Sequence, residues 1–312
     1  MLNKTILMSG AEYFAADAPI NPYYGAAIDV EAARIEHAAI RATFMRAGIN
    51  VIKVPPPQGC QDGVYTANWG LCRGSTFVLA CLPGARKAEE EYATELLAQL
   101  GKTVLRVPDN GGLDRLEPSS LRFSDQGDAL SCGNGSSVSS PLRFSGQGDA
   151  LRCGPYLLAG CGYRSDAAAQ SYAADVLGLE LVQLHALPEL DGTGQPRLNS
   201  ASGWPESRFY DIDLAIGVLR DDLIAWCPQA FDEQSRERIE RLPVGKIIVA
   251  YDEAVEGFAC NLVSTGSTVI ISDRVPRLVR EIERHGLKVI QLNTTELSKG
   301  GGGIRCVSLT LD

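Results

Sequence analysis

The chain has 312 residues, with 29 Lys and Arg against 38 Asp and Glu, a formal charge of −9. Its 45% hydrophobic and 21% charged residues are those of an ordinary globular protein, which excludes disordered, collagenous and coiled-coil chains. A chain this acidic carries no basic stripe, so neither nucleic acid nor an anionic membrane surface is an expected partner.

A first strand is expected over 5–8, where a short apolar run stops at Ser9-Gly10. That run is too short for a signal-peptide core, and no stretch approaches the roughly 20 apolar residues of a membrane helix, so a cytoplasmic location is expected. A helix follows over 29–48, with Asp29 as cap, Ala33, Ile40 and Phe44 on one side, and Gly48 as stop. A strand is expected over 49–54. The same order then recurs four times. Strands 64–71 and 75–82 lead to helix 86–101 and strand 103–107. Strands 149–153 and 156–161 lead to helix 165–178 and strand 179–184. Strands 213–219 and 223–227 lead to helix 232–243 and strand 246–250. Strands 261–264 and 268–272 lead to helix 272–286 and strand 287–292. A last strand, 306–311, is left to complete the first unit.

Strands thus outnumber helices by about three to one, and one strand–strand–helix–strand unit appears five times. Repeating such a unit around a ring closes the sheet edges that a chain must otherwise blunt. The expected fold is α/β: a single domain over 1–312, a fivefold pseudosymmetric α/β propeller of ββαβ units. An open α/β sheet with two subdomains is the alternative.

Two segments repeat. Residues 122–133 read RFSDQGDALSCG and residues 143–154 read RFSGQGDALRCG, identical at ten of twelve positions. Two copies are too few for a solenoid, so a tandem duplication inside one loop is the simpler reading. The second copy runs into strand 156–161 and is expected to be the structural one. The first belongs to an inserted loop at about 110–142, which closure entropy tolerates cheaply.

Nine cysteines (60, 72, 81, 132, 153, 161, 227, 260 and 306) include no Cys-x-x-Cys pair, and there are three histidines. No metal site is expected from these spacings, and no glycine fingerprint for a nucleotide follows the first strand, so the expected cofactor is none. Most cysteines read as buried reduced thiols. His37 and His285 read as surface residues, the latter at a helix C-terminus that favours a cation. His185, just after a strand, is more simply structural than chemical. The sharpest signal is Gly300-Gly301-Gly302-Gly303-Ile304-Arg305-Cys306. Four glycines let the backbone approach a ligand closely, and they deliver a cysteine whose thiolate would be a strong nucleophile. Alone, such a run is more often a flexible turn before a buried strand.

Together with that run, residues 62–70 (DGVYTANWG), Ile20-Asn21-Pro22-Tyr23-Tyr24 and residues 144–151 (FSGQGDAL) make the chain resemble the guanidine-modifying enzyme superfamily, from about Ile20 onward. That family comprises arginine deiminases, dimethylarginine dimethylaminohydrolases, amidinotransferases and arginine dihydrolases, and folds as a fivefold α/β propeller. The resemblance implies a small-molecule guanidino substrate and Cys306 as nucleophile, attacking the central guanidinium carbon to give a covalent adduct. It implies that Arg86 holds a substrate carboxylate, and that Asn68 stands where dihydrolases carry Asn and deiminases a carboxylate. Asn21, Asp62, Asp149 and Ser145 are expected to line the substrate.

Two departures stand out. Asp211 occupies the His of the family's His-x-Asp motif, whose second residue is Asp213, and Ser145 replaces a Glu that grips the guanidinium. A carboxylate can serve as general base, yet one beside Cys306 disfavours the thiolate. A bound guanidinium would offset this. The function read from the sequence is therefore a cysteine-dependent hydrolase of a dimethylarginine- or arginine-like compound, with Asp211 and Asp213 beside Cys306 in the catalytic set. The alternative is a degenerate member that binds an amino acid or a partner protein without chemistry. Oligomeric state, homo-oligomers included, is left open.

Overall fold

Side-chain caps and turns set the helix boundaries in the computed structural model, which describes residues 1–24, 27–108, 141–200 and 203–312. Helix α1 (Val30–Arg46) starts where the Asp29 carboxylate accepts the Ala32 N–H at 3.0 Å. Helix α2 (Lys87–Gln99) has no side-chain cap. Helix α3 (Ala167–Leu177) ends on Gly178 in the left-handed conformation. Asp166, before it, turns its carboxylate to the Arg143 guanidinium and backbone N–H instead of capping. Asp232 caps α4 (Glu233–Arg241) through the Ser235 N–H. Two further helices, α5 (Tyr251–Glu256) and α7 (Thr295–Lys299), flank α6 (Pro276–Arg284). Both are too short to show a helical period in sequence.

Among the described residues, fifteen strands form five sheets of three. In one, β3 (Gly70–Arg73) pairs antiparallel with β4 (Thr76–Leu79), which pairs parallel with β5 (Thr103–Arg106) after the α2 crossover. The pattern recurs in β6 (Ala150–Cys153), β7 (Tyr156–Gly160) and β8 (Glu180–Leu184), with α3 as the crossover. It recurs in β9 (Ile216–Arg220), β10 (Leu223–Trp226) and β11 (Gly245–Ile248), and again in β12 (Val263–Ser264), β13 (Thr268–Ser272) and β14 (Lys288–Leu292). In the fifth sheet β1 (Thr5–Met8) pairs parallel with β2 (Asn50–Lys53), and the strand antiparallel to β1 is β15 (Leu309–Thr310), from the far end of the chain. The fold is α/β, with the unit count read from the sequence pattern.

Three expected strands begin later than the apolar pattern suggests. Residues 66–69 form a 3-10 turn before β3, residues 212–214 another before β9, and Cys306 precedes β15 by three positions. Each segment is buried, and a buried turn has the same run of apolar residues as a buried strand. The second copy of the duplication forms a turn and β6, whereas the first copy and most of the expected inserted loop lie outside the described residues.

The core includes Phe44, Trp69, Phe77, Phe144 and Trp226. One expectation is corrected: His37 is buried, because α1 turns Glu36, His37 and Thr43 inward beside its apolar residues. Burial pushes the His37 pKa down to about 4. His285 and His185 are exposed. All eight described cysteines are free thiols, and all but Cys81 are buried.

Candidate active site

Each of the five sheets begins with a strand entered through a buried turn or bend, and each entry carries a polar side chain. Asn68 precedes β3, Asp149 precedes β6, Asp213 precedes β9, Asn261 precedes β12 and Cys306 precedes β15. All five are nearly inaccessible to solvent. Residues remote in sequence meet because they hold equivalent places in repeated units.

Cys306 sits between two of the others. Its Sγ donates to Asp213 Oδ2 at 3.2 Å and accepts from Asn261 Nδ2 at 3.0 Å. Asn68 Nδ2 donates to Asp211 Oδ2 at 2.7 Å and to Ser145 Oγ at 2.8 Å. Asp149 Oδ1 accepts the Ile212 N–H, which fixes the segment between Asp211 and Asp213. The glycine run approaches this cluster closely. Gly301 has φ +90°, and a Cβ on it would lie 2.6 Å from the Asn21 amide, which donates to the Gly300 carbonyl. A Cβ on Gly148 would lie 2.8 Å from Asp211 Oδ2. Tyr210 OH holds the Gly301 carbonyl at 2.6 Å, and Tyr65 OH holds that of Leu297 at 2.7 Å.

The electrostatics favour protonated acids. Burial raises the pKa of Asp149 and Asp213 well above the carboxylate range, with Asp211 as the next cause for each. Burial likewise raises Asp211, against the pull of Arg164. Among the described residues, Asp211 Oδ1 and Asp213 Oδ1 are buried without a hydrogen-bond partner. The Cys306 thiol is pushed far up, by burial first and then by Asp213 and Asp211. The cluster is thus a place where burial suppresses negative charge.

Three buried arginines stand beside it, of which Arg305, next to Cys306 in the chain, is bonded to Gln147 and Thr310. Arg86 is already committed: Nε and Nη2 pair with Glu89, Nη1 donates to Asn68 Oδ1, and Nη2 also reaches the Asp62 and Tyr65 carbonyls. Arg164 donates to the Ile20 carbonyl and lies over the rings of Tyr210, at 4.9 Å, and Trp204, at 5.5 Å. No carboxylate is bonded to it among the described residues. Asp62 accepts from Tyr24 OH at 2.5 Å and from Gln61 Nε2.

A cavity of about 20 Å³ opens on Cys306, enough for one water. Asn21, Asp62, Asn68, Arg86, Ser145 and Asp211 line it with Cys306. Asp149 and Asp213, also expected in the site, are not in that lining: Asp149 holds the Ile212 N–H beside Asp211, and Asp213 is bonded to Cys306. Sequence reasoning missed Arg164, Tyr210 and Asn261. Asn261 could have been found from the repeat, since it opens the fifth unit as Asp213 opens the fourth. Arg164 had only a polar turn after strand 156–161 to signal it. Among the described residues, no group of three or more His, Cys, Asp or Glu side chains is arranged to hold a metal.

No protein-family model matches the chain. It is 28% identical to the N(G),N(G)-dimethylarginine dimethylaminohydrolase of Mycobacterium tuberculosis, over 97% of this chain and 84% of that protein. It is 30% identical to the bifunctional arginine dihydrolase/ornithine cyclodeaminase ArgZ of Synechocystis, over 97% of this chain but only 37% of the relative's length. The solved N-terminal domain of ArgZ bound to product superposes with a TM-score of 0.79 at 28% identity, covering 99% of this chain and 97% of that one. The dimethylarginine dimethylaminohydrolase of Pseudomonas aeruginosa, complexed with citrulline, shares the fold with a TM-score of 0.68 at 18% identity, covering 98% of each chain. The chain belongs to the guanidine-modifying, or pentein, superfamily. Within it, its relatives are dimethylarginine dimethylaminohydrolases and arginine dihydrolases.

Proposed function

We propose that this protein is a cysteine-dependent hydrolase of an arginine-like guanidino compound, of the dimethylarginine or arginine class, working through a covalent adduct on Cys306. The observation that carries the reading is a buried thiol hydrogen-bonded to Asp213, beside two carboxylate oxygens that have no partner. A guanidinium supplies both a positive charge and N–H donors for those oxygens. Cytosolic residence suits the free thiols.

In this reading the substrate cation enters between Asp211, Asp213 and Cys306, and its charge makes ionisation favourable. Binding of the cation drives the Asp213 proton out to solvent, the thiol proton then passes to the freed carboxylate oxygen Oδ2, and the thiolate attacks the central guanidinium carbon. Ammonia or an alkylamine leaves with a proton from Asp211, giving a thiouronium-type adduct. Water then attacks that carbon and Asp211 takes one of its protons; as the carbon–sulfur bond breaks, Cys306 regains its proton from Asp213, which takes the remaining hydroxyl proton of the departing ureido product. Asp211 thus does the work of the family's His. Asn68 and Ser145 orient it, and Asp149 fixes its segment through Ile212. Asn21 and Asp62 shape the wall. Arg164 is the better-placed partner for a substrate carboxylate, since Arg86 is taken up by Glu89. A 20 Å³ cavity does not hold an arginine, so the site widens to admit one.

The same reading takes residues 1–312 as one domain and the five sheets as a closed propeller. The Leu2 N–H and Asn3 Nδ2 reach the Thr265 and Ser264 carbonyls, which joins the first unit to the one containing β12.

The test is a panel of arginine, methylated arginines, citrulline and agmatine, assayed for ammonia, methylamines and urea with wild type and Cys306→Ala. Release that disappears in the variant is expected, and ornithine appearing with ammonia marks a dihydrolase. Silence across the panel, with ligands still raising the melting temperature, would leave a binding protein and end the hydrolase reading.

A further inference from the structure

We propose that Asn261 is a positioning residue that holds the Cys306 loop in its reactive shape and aims the thiol proton at Asp213. The inference rests on Cys306 being the nucleophile in the reading above.

Asn261 is 1% exposed, and both polar atoms of its side chain bond the loop that carries Cys306. Its Oδ1 accepts three backbone N–H groups, from Gly303 at 3.0 Å, Arg305 at 3.0 Å and Cys306 at 3.2 Å. Its Nδ2 donates to Cys306 Sγ at 3.0 Å. The sulfur therefore lies between a donor on one side and Asp213 on the other. A thiol has one proton to give, and Asn261 Nδ2 cannot accept it. The S–H must point at Asp213, and the amide bonds a sulfur lone pair whose negative charge it favours. That contact opposes the two aspartates, which hold the proton on sulfur.

The mount of Asn261 is itself rigid. Phe258, three residues earlier, has φ +55°, a conformation costly for an aromatic residue, and its carbonyl accepts the Asn261 N–H at 3.0 Å. The Phe258 ring packs on Tyr23 at 4.8 Å. The four-glycine run has little stiffness of its own, so one external side chain gripping three amides, from its last glycine to Cys306, supplies the order that glycine lacks.

Two substitutions separate the two roles. Asn261→Asp keeps an oxygen for the three amides but loses the donor to sulfur, whereas Asn261→Ala loses both. The primary readout is the pH profile of iodoacetamide alkylation at Cys306, followed by mass spectrometry of its peptide, because alkylation reports the thiolate whether or not a substrate is known. Asn261→Asp is expected to raise the midpoint by about one pH unit, a roughly tenfold slower reaction at neutral pH. It should also lower kcat by about 10²-fold with KM within about threefold. Asn261→Ala is expected to raise KM and lower the melting temperature as well. Should Asn261→Asp fail to fold, Asn261→Ser, whose hydroxyl is too short to reach sulfur, carries the same readout. An alkylation profile in Asn261→Asp that matches wild type would overturn the proposal. A shifted profile in a protein that hydrolyses no guanidine would leave the Asn261 contact standing and remove only the hydrolase reading.

Discussion

In the proposed mechanism a carboxylate near the attacking sulfur works against it until a cation arrives, and Asp211 is where that trade would be made. Replacing it by Asn keeps its shape and its bond from Asn68 while removing a buried charge. Because the folded pKa of Asp211 is raised, the unfolded chain gives up its proton first, and the group costs stability as pH rises above the unfolded value. Asp211→Asn should therefore be more heat-stable than wild type at pH 8 and equal to it near pH 4, while kcat falls about 10²–10³-fold. Thermal unfolding at the two pH values and steady-state rates check both halves. His37 acts in the opposite sense. Its Nε2 is buried without a partner and its pKa falls to about 4. Between pH 6.5 and about 4 the unfolded chain binds a proton that the folded one refuses, so stability falls with pH by up to about 3 kcal/mol. His37→Leu should flatten that acid limb in urea titrations. Asn68, Asp149, Asp213 and Cys306 gather at one place because each sits at the entrance of a strand, whereas Asn21 and Arg86 come to it from segments that lead into helices. Arg164 and Asn261 do not stand out in sequence, since a lone Arg or Asn after an apolar run looks like any turn.

At the scale of elements, the five long helices and most strands were legible from caps, glycine stops and apolar periods. The short α5 and α7 were not, since five or six residues span less than two turns. Helix α7 matters because it leads into the glycine run, and a side chain from α1 holds it in place. The Glu36 carboxylate accepts the Glu296 and Leu297 N–H groups at 3.0 Å. Glu36→Ala leaves those donors unpaired and should cost about 1–2 kcal/mol in urea unfolding. It should also raise KM, because Gly300 follows directly on α7. Unchanged stability would mean that water replaces the carboxylate there.

For the whole molecule, the sequence by itself determined the α/β class, the fivefold recurrence of one unit, the completion of the first sheet by the last strand, and the cysteine on which the site centres. These follow from local rules: caps, periods and glycine positions repeat at regular intervals, and a resemblance spread over several motifs fixes their order. The tertiary structure alone decided that Arg86 is bound to Glu89, that Asn261 holds the cysteine loop, that His37 is buried, and that two carboxylate oxygens beside Cys306 lack partners. Those facts depend on which side chains from separate units arrive at one point, and on how far water is excluded there. Distances of 2.7–3.2 Å between residues 45 to 143 positions apart are set by packing, and no local pattern in the chain records them.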